Sequence, residues 1–269
     1  MYTEYWNLKE LPFENTPNSK FYYESAGHGE ALSRLEYLVN ERKACGVLTG
    51  VYGCGKTLLL SSLTNGMRLE GLVFSIVNNP RLDDLGILRL ILHGFKKGDV
   101  PAGKADVLME LERFVTGVVD DGKHSVIVID EAHAIENEKV FEELRLLLNL
   151  QTESRSLVTL LLVGQPELGP RIETNKQLNQ RVNMRYHLGP FGLTETQNYI
   201  EHRLQIAGAA ETIFAPEESA LVFKLSGGIP RWINQICHLS LMVGFGQEAK
   251  LISPEIIREA VQDMVGVRK

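Results

Sequence analysis

Apolar positions along this chain change their period twice, and the changes mark its organisation. Ala31, Leu32, Leu35, Leu38 and Val39 recur at helical spacing, which predicts a helix over 29–41. Short apolar runs then alternate with helical patterns. The runs at 47–49, 72–77, 125–130 and 157–163 have apolar interiors, β-branched at 125–130, as strands buried on both faces do, and 184–188 reads as a short fifth strand. Helices are predicted at 57–63, at about 82–95 and 104–119 with a Lys96-Lys97-Gly98-Asp99 turn between them, and along Val140, Phe141, Leu144, Leu147 and Leu148. Strands alternating with helices predict an α/β fold, a five-stranded parallel sheet covered on both sides.

At Gly189-Pro190-Phe191-Gly192 the character shifts, and only helical spacing follows, at about 194–207, 216–225, 230–243 and 254–265. Capping-type residues stand at Thr194 to Gln197 and Ser253 to Glu255. The expected domains are 1–190 and an all-helical 191–269. Residues 1–28, counted with the first domain, form an aromatic strap: Tyr2, Tyr5, Trp6, Phe13, Phe21, Tyr22 and Tyr23, with Pro12 and Pro17 breaking any helix. That much ring surface must pack on something. It either covers the sheet edge near a nucleotide base or serves as an ordinary structural strap.

Composition narrows the classes. The chain has 269 residues, 44% of them hydrophobic and 23% charged, which suits one large globular domain and a smaller one. No apolar run approaches the length of a membrane span, and the first residues have neither a basic nor an apolar leader segment, so a cytoplasmic location is expected. A formal net charge of −6 argues against the whole molecule being a polyanion binder and leaves room for a local basic patch. Cys45, Cys54 and Cys237 show no metal-ligand or disulfide spacing and are expected to be reduced thiols.

The chemistry is concentrated in Gly50-Val51-Tyr52-Gly53-Cys54-Gly55-Lys56-Thr57, which fits G-x-x-x-x-G-K-[ST] between a strand and the Leu58-Leu59-Leu60 start of a helix. Such a Walker A loop turns backbone N–H groups inward, and its glycines let the backbone approach phosphate. Gly50, Tyr52, Gly53, Cys54, Gly55, Lys56, Thr57 and Leu58 are the expected nucleotide-holding set, with Lys56 at the β- and γ-phosphates and Thr57 on Mg²⁺. Cys54, inside the loop, is a site where alkylation is expected to act. Val126-Ile127-Val128-Ile129-Asp130-Glu131 reads as a Walker B strand, with Asp130 as the second Mg²⁺ residue and Glu131 polarising the attacking water.

Further candidates each carry two readings. Gln165, after the fourth strand, would hydrogen-bond the γ-phosphate or attacking water if that strand neighbours the first; otherwise it is a turn residue. Arg181, and second Arg185, precede or open the last strand and would reach a neighbouring subunit's γ-phosphate, or form surface ion pairs. Arg231, in Ser226-Gly227-Gly228-Ile229-Pro230-Arg231, would sense nucleotide from the helical domain, or is an exposed turn residue. His133 completes Asp-Glu-Ala-His, a string shared with a helicase class whose two motor domains this length does not provide. It reads as a capped surface histidine, with coupling to a partner as the other reading.

Taken in order, these elements resemble the AAA+ ATPases, and more narrowly the general secretion pathway ATPase A (ExeA-like) family. The narrower likeness rests on Tyr5-Trp6-Asn7-Leu8-Lys9-Glu10-Leu11-Pro12-Phe13, Thr16-Pro17, Phe21-Tyr22-Tyr23-Glu24-Ser25, His28, Glu30-Ala31-Leu32 and Leu35. It continues through Asp130-Glu131-Ala132-His133, Gly164-Gln165-Pro166-Glu167-Leu168, Gln180-Arg181 and Gly227-Gly228-Ile229-Pro230-Arg231. The resemblance implies a P-loop NTPase αβα sandwich with a helical lid, ATP and Mg²⁺ as ligands, and homo-oligomeric assembly in a ring or filament. By the same likeness Gln165 corresponds to sensor 1, Arg181 to the arginine finger and Arg231 to sensor 2. The secretion members continue into a membrane anchor and a peptidoglycan-binding domain, while this sequence ends at Lys269. The compact architecture also resembles ATPases that regulate DNA transposition. Three functions follow as expectations: an ATP-hydrolysing oligomeric switch acting on a protein partner, a DNA-bound ATPase of mobile elements, or a nucleotide-gated scaffold with little turnover.

Overall fold

The computed structural model describes residues 2–16, 18–65, 71–96, 98–152 and 156–266; Pro17, Lys97 of the expected turn, and 267–269 lie outside the described residues. In chain order the elements are α1 (Tyr2–Tyr5), α2 (Ala26–Asn40), β1 (Cys45–Gly50), α3 (Lys56–Asn65), β2 (Leu72–Val77), α4 (Asp84–Lys96) and α5 (Lys104–Asp120). They continue as β3 (His124–Ile129), α6 (Glu138–Leu147), β4 (Val158–Gly164), α7 (Leu168–Thr174), α8 (Lys176–Asn179) and β5 (Val182–Leu188). Helices α9 (Leu193–Ile206), α10 (Pro216–Ser226), α11 (Pro230–Gly246) and α12 (Pro254–Val265) complete it, with 3-10 turns at Ser19–Phe21 and Ala132–Ala134. Every expected strand is present. Helices α1, α7 and α8 were not legible, because four to seven residues give too little length for a period to show.

The chain divides into two compact units, 1–27 with 53–58 and 189–269, and 28–52 with 59–188. The second unit holds the sheet, ordered β2-β3-β4-β1-β5 with every pairing parallel. Its apolar strands are split by the pleat into two faces. Val47, Ile127, Ile129, Leu160 and Leu162 share a core with Ile87, Leu88, Ile91 and Leu92 of α4, Leu111 of α5, Phe141 and Leu144 of α6, and Ile172 of α7. The intervening positions face the other way, where Leu38 of α2 lies 2.5 Å from where a Cβ on Gly46 would fall. Strand β5 departs from the expected buried run: its residues alternate between half-buried and exposed, as an edge strand with one covered face does.

The first unit is helical, and the aromatic strap is built into it. Trp6, Phe13 and Phe21 are buried with Tyr199, Phe214, Ile233 and Leu241. Trp6 Nε1 donates to the Leu241 carbonyl at 3.0 Å, and Tyr5 Oη to that of Ala249 at 2.8 Å. Truncating a ring packed this way costs roughly 3–5 kcal/mol. Arg203 of α9, itself buried, secures the strap through bonds to the carbonyls of Pro12 and Glu14, while its guanidinium lies 4.8 Å from the Phe21 ring centre. Residues 1–27, expected with the first domain, therefore group with 189–269, and the strap follows the structural of its two readings. Helix α12 takes Ser253 as N-cap, its side chain accepting from Ile256 N–H at 3.4 Å. Helix α9 is capped instead at Gly192, whose N–H donates to Glu195 at 3.0 Å.

One buried titratable group makes the sheet unit sensitive to acid. Thr159 Oγ1 donates to the Lys43 carbonyl at 2.7 Å, so its oxygen accepts from His124 Nε2 at 2.8 Å, and His124 Nδ1 is buried with no hydrogen-bond partner among the described residues. Burial, and secondly the charge of Arg42, pull this imidazole down to about 4 from 6.5. The unfolded chain takes up the proton below about pH 6.5 and the folded chain only near pH 4, so the stability from keeping His124 neutral is whole above 6.5 and drains away between the two. The interval, 6.5 − 4, corresponds to about 3 kcal/mol. Urea unfolding across pH 4 to 7 is expected to show this slope and His124→Leu to flatten it; an unchanged slope in the variant would refute the assignment.

Candidate functional site

Parallel pairing places the carboxyl ends of β1, β3 and β4 along one edge of the sheet. β1 ends at Gly50 and α3 begins at Lys56, so the glycine-rich loop joins a strand to a helix as its motif requires. Gly53 and Gly55 have φ of +85° and +99°, a backbone open to glycine and costly for other residues. Space is short as well: a Cβ on Gly53 would stand 2.7 Å from Cβ of Arg231, whose backbone N–H donates to the Gly53 carbonyl at 3.3 Å. Both lie in the helical unit. Arg231, exposed in the first turn of α11, is thereby anchored to the loop through its main chain.

Lys56 is buried, Thr57 exposed, and Leu58 half-buried. A lysine ammonium at that depth requires acceptors or anions around it, which suits a phosphate cradle at a helix N-terminus. Tyr52, exposed at the loop tip, contrasts with Cys54, which is fully buried. Burial raises the Cys54 thiol above its usual range, outweighing the Lys56 charge and two backbone hydrogen bonds that lower it. This corrects the expectation of alkylation, since a buried thiol with a raised pKa is a poor nucleophile. No disulfide joins the three cysteines, all of which are buried.

At the end of β3, Asp130 is buried; its N–H donates to the Val77 carbonyl and its Oδ1 accepts from Glu131 N–H, both at 2.9 Å. Glu131 has left-handed φ 54° and ψ 31°, an uncommon state for a glutamate and one that recurs at functional sites. The donor types suit Mg²⁺, which takes one or two protein oxygens and completes its shell with water and phosphate: a carboxylate at Asp130 and a hydroxyl at Thr57. No cluster of three or more His, Cys, Asp and Glu able to hold a metal by itself occurs among the described residues.

Strand β4 neighbours β1, with Gly164 paired to Thr49, so the next residue, Gln165, lies beside the start of the loop. His133 joins this edge and is not a surface histidine. Its side chain is 18% exposed, with Nε2 3.5 Å from Glu131 Oε2 and 3.0 Å from the Gln165 side-chain amide, while Nδ1 accepts from Gln165 N–H at 3.3 Å. The correction has a simple source: the Asp-Glu-Ala-His string fixes His133 on a turn, but only the β3–β4 pairing brings that turn against the end of β4. Arg171 of α7, which sequence reasoning did not single out, donates to the His133 carbonyl at 3.0 Å. An arginine three residues into an unpredicted helix carries no sequence signal.

The two finger candidates lie elsewhere. Arg181 immediately precedes β5, and Val182 pairs with Cys45 while Leu188 pairs with Gly50. Arg181 therefore sits at the amino edge of the sheet, separated from the carboxyl edge by roughly 17 Å of strand. It donates to Asn149 Oδ1 at 3.0 Å; Arg185 is exposed and donates to Asn179 Oδ1. Neither makes the surface ion pair that was its other reading among the described residues.

Comparison with known proteins bears on the family and the fold. The sequence profile AAA_22, an AAA domain, matches residues 39–172. General secretion pathway protein A of Aeromonas hydrophila is 36% identical over 272 residues, covering all of this chain and 49% of that protein, so the chain spans about half the length of the curated relative it matches. Among solved structures, Drosophila ORC bound to DNA is similar with a TM-score of 0.71 at 17% identity, over 98% of this chain and 65% of that one. The ORC2 protein of Aeropyrum pernix, in ADPNP and ADP complexes, has a TM-score of 0.68 at 19% identity, over 95% and 72%. At such identities the two structures speak to the fold: a five-stranded parallel P-loop sheet followed by helices. The motif order, the sheet order and the full-length likeness to a secretion protein together make this chain a member of the AAA+ family of P-loop NTPases, homologous to general secretion pathway protein A.

Proposed function

We propose that the protein is a Mg²⁺-dependent ATPase that works as a nucleotide-dependent oligomeric switch on a protein partner. The observation that carries the reading is the convergence of Glu131 and Gln165 at the sheet edge where β1 runs into the Gly50–Thr57 loop. Gly50, Tyr52, Gly53, Cys54, Gly55, Lys56, Thr57 and Leu58 hold the triphosphate, Thr57 and Asp130 hold Mg²⁺, and the ion supplies charge neutralisation on the phosphates. Glu131 accepts the proton of a water that attacks the γ-phosphorus as the bond to the ADP oxygen breaks. Gln165 contacts the γ-phosphate or that water, and Arg231, tied to the loop at Gly53, reports the nucleotide to the helical unit.

Arg181 acts in trans. Its place at the amino edge of the sheet, opposite the loop, supports a role at a neighbouring protomer's nucleotide in a ring or filament rather than at its own, with Arg185 as the second choice. The switch on a protein partner rests on the likeness to a secretion protein, and the cytoplasm is where we place it. No helix among the described residues is long and apolar enough to cross a membrane. A second reading, a DNA-bound ATPase of mobile elements, draws support from the fold shared with ORC bound to DNA. A scaffold with little turnover is the third outcome.

Phosphate release with and without duplex DNA, over a salt series, tests these against one another. DNA-independent turnover abolished by Glu131→Gln with ATP binding retained is expected; turnover unchanged in Glu131→Gln would remove that residue from its role. Stimulation by DNA that fades with salt would favour the second reading, and binding without turnover the third. Arg181→Ala is expected to lose turnover by roughly 10³-fold or more and to regain part of it when mixed with Lys56→Ala protein, which supplies an intact arginine. A mixture as inactive as its components would refute action in trans.

A further inference from the structure

Strand β5 ends the sheet, with β1 as its neighbour and no strand beyond it among the described residues. Such an edge leaves a row of N–H and C=O groups open to a further strand, and proteins blunt it with proline, charge, a bulge or a covering helix. β5 has a bulge and a charge. The bulge is confined to its start: register passes from Cys45–Val182 to Gly46–Met184, and Asn183 between them turns its Oδ1 to accept from the N–H groups of Ala44 and Cys45 at 2.9 and 3.2 Å. From Met184 to Leu188 the pairing with β1 is unbroken, and the strand holds no proline. The charge is Arg185, and β5 holds no acidic residue beside it.

Its two faces are unlike. Met184 and Tyr186 turn towards α2: a Cβ on Gly46 would lie 2.5 Å from Leu38 and 3.3 Å from Met184, and Tyr186 Oη donates to Glu30 at 3.4 Å. Between α2 and the start of β5 the packing opens into a hollow of about 510 Å³, lined by Leu38, Met184 and Tyr37, itself 60% exposed, and by Ser33 and Lys43. Arg34, also on the hollow, is committed to Glu30 through Nε at 3.0 Å and Nη2 at 2.6 Å. Lys43 makes no ion pair among the described residues; its bonds there are those of its main chain, to the Leu38 carbonyl and from Thr159 Oγ1. The opposite face of β5 exposes Asn183, Arg185 and His187. Arg185 donates to the Asn179 side chain, and His187 Nδ1 lies 3.0 Å from Thr49 Oγ1.

We infer that the outer edge of β5 is a docking site for an extended segment of the protein partner, one that alternates acidic and apolar residues and adds to the sheet as a further strand. The inference rests on the reading above that a protein partner exists. An added strand pairs with the open main-chain groups of β5, and its period of two sets the rest. Alternate side chains enter the hollow against Leu38, Met184 and Tyr37, which removes apolar surface from water. The side chains between them fall beside Arg185 and His187, where an acid is attracted and a base repelled. Lys43, on the hollow and without an ion pair, receives a further carboxylate. Charge also selects the occupant: two β5 edges side by side would oppose like charges, whereas an acidic strand meets opposite ones.

Fluorescence anisotropy of the full chain with labelled Glu-Val-Glu-Leu-Glu-Val-Glu tests it, with Lys-Val-Lys-Leu-Lys-Val-Lys as the probe of reversed charge, each with and without ATP. Saturable binding of the acidic peptide is expected, roughly tenfold tighter than that of the basic one, together with slowed hydrogen exchange at β5 amides. Lys43→Glu is expected to weaken it by roughly tenfold, and Ser33→Trp, which fills the hollow from an exposed position on α2, by as much or more. Both variants are expected to keep the rate of phosphate release measured without peptide. Should Ser33→Trp fail to fold, Lys43→Glu carries the test alone. Absence of saturable binding, equal affinity for the two peptides, affinity unchanged in the variants, or protection confined to elements other than β5 would overturn the inference. Self-association of the unaltered chain that is lost in Ser33→Trp would give the edge to a second copy and overturn it as well. Acidic-peptide binding of equal strength with and without ATP would support the docking site while removing the nucleotide switch. Hydrolysis without peptide binding would remove the docking site and leave the ATPase reading standing.

Discussion

Parallel pairing of β1, β3 and β4 is the constraint on which the rest of the sheet unit depends. Parallel strands end together, so the loop after β1, the carboxylates after β3 and the amide after β4 are brought to one edge by main-chain hydrogen bonds, before any side chain contributes. Burial of both faces supplies the stability that fixes the register, since a slip by one residue would exchange the two apolar faces of each strand. The same geometry sends Arg181 to the opposite edge. Arg181 thus stands apart from the loop after β1, which is why the role proposed for it is one at a neighbouring protomer.

The helical unit is organised by different means. Its core is closed by rings from the first residues of the chain, and the buried Arg203 satisfies its guanidinium with carbonyls of the strap, with Tyr199 Oη at 2.7 Å and with Asn234 at 3.3 Å. A buried cation is tolerable only when its donors are met in this way. Truncating the strap would strip that arginine of partners as well as removing apolar surface. Within the same unit the Arg231 main chain bonds the Gly53 carbonyl, which gives the helices a fixed point on the phosphate loop.

Cys54 and His133 show how local sequence misleads about environment. Both sit in motifs whose backbone path was legible, and both were read as accessible. Cys54 points into the protein and is fully buried, although Tyr52 two residues before it is exposed. His133 is drawn inward because the residue it meets on β4 is glycine, whose lack of a side chain leaves room for an imidazole. Exposure depends on which strand lies next door, and strand order is not written in either motif.

By itself the sequence determined the alternation of strands and helices, the strand-to-helix loop with its lysine and threonine, and the acid pair closing the third strand. These are local, set by hydrophobic period and by the few residues a phosphate turn accepts. It did not determine the grouping of residues 1–27 with the C-terminal helices, the edge status of β5, the separation of Arg181 from the carboxyl edge, or the union of Glu131, His133 and Gln165. Those follow from the order β2-β3-β4-β1-β5 and from side chains meeting across long stretches of chain. Periodicity reports which face a residue takes, and only the packed structure decides what it faces.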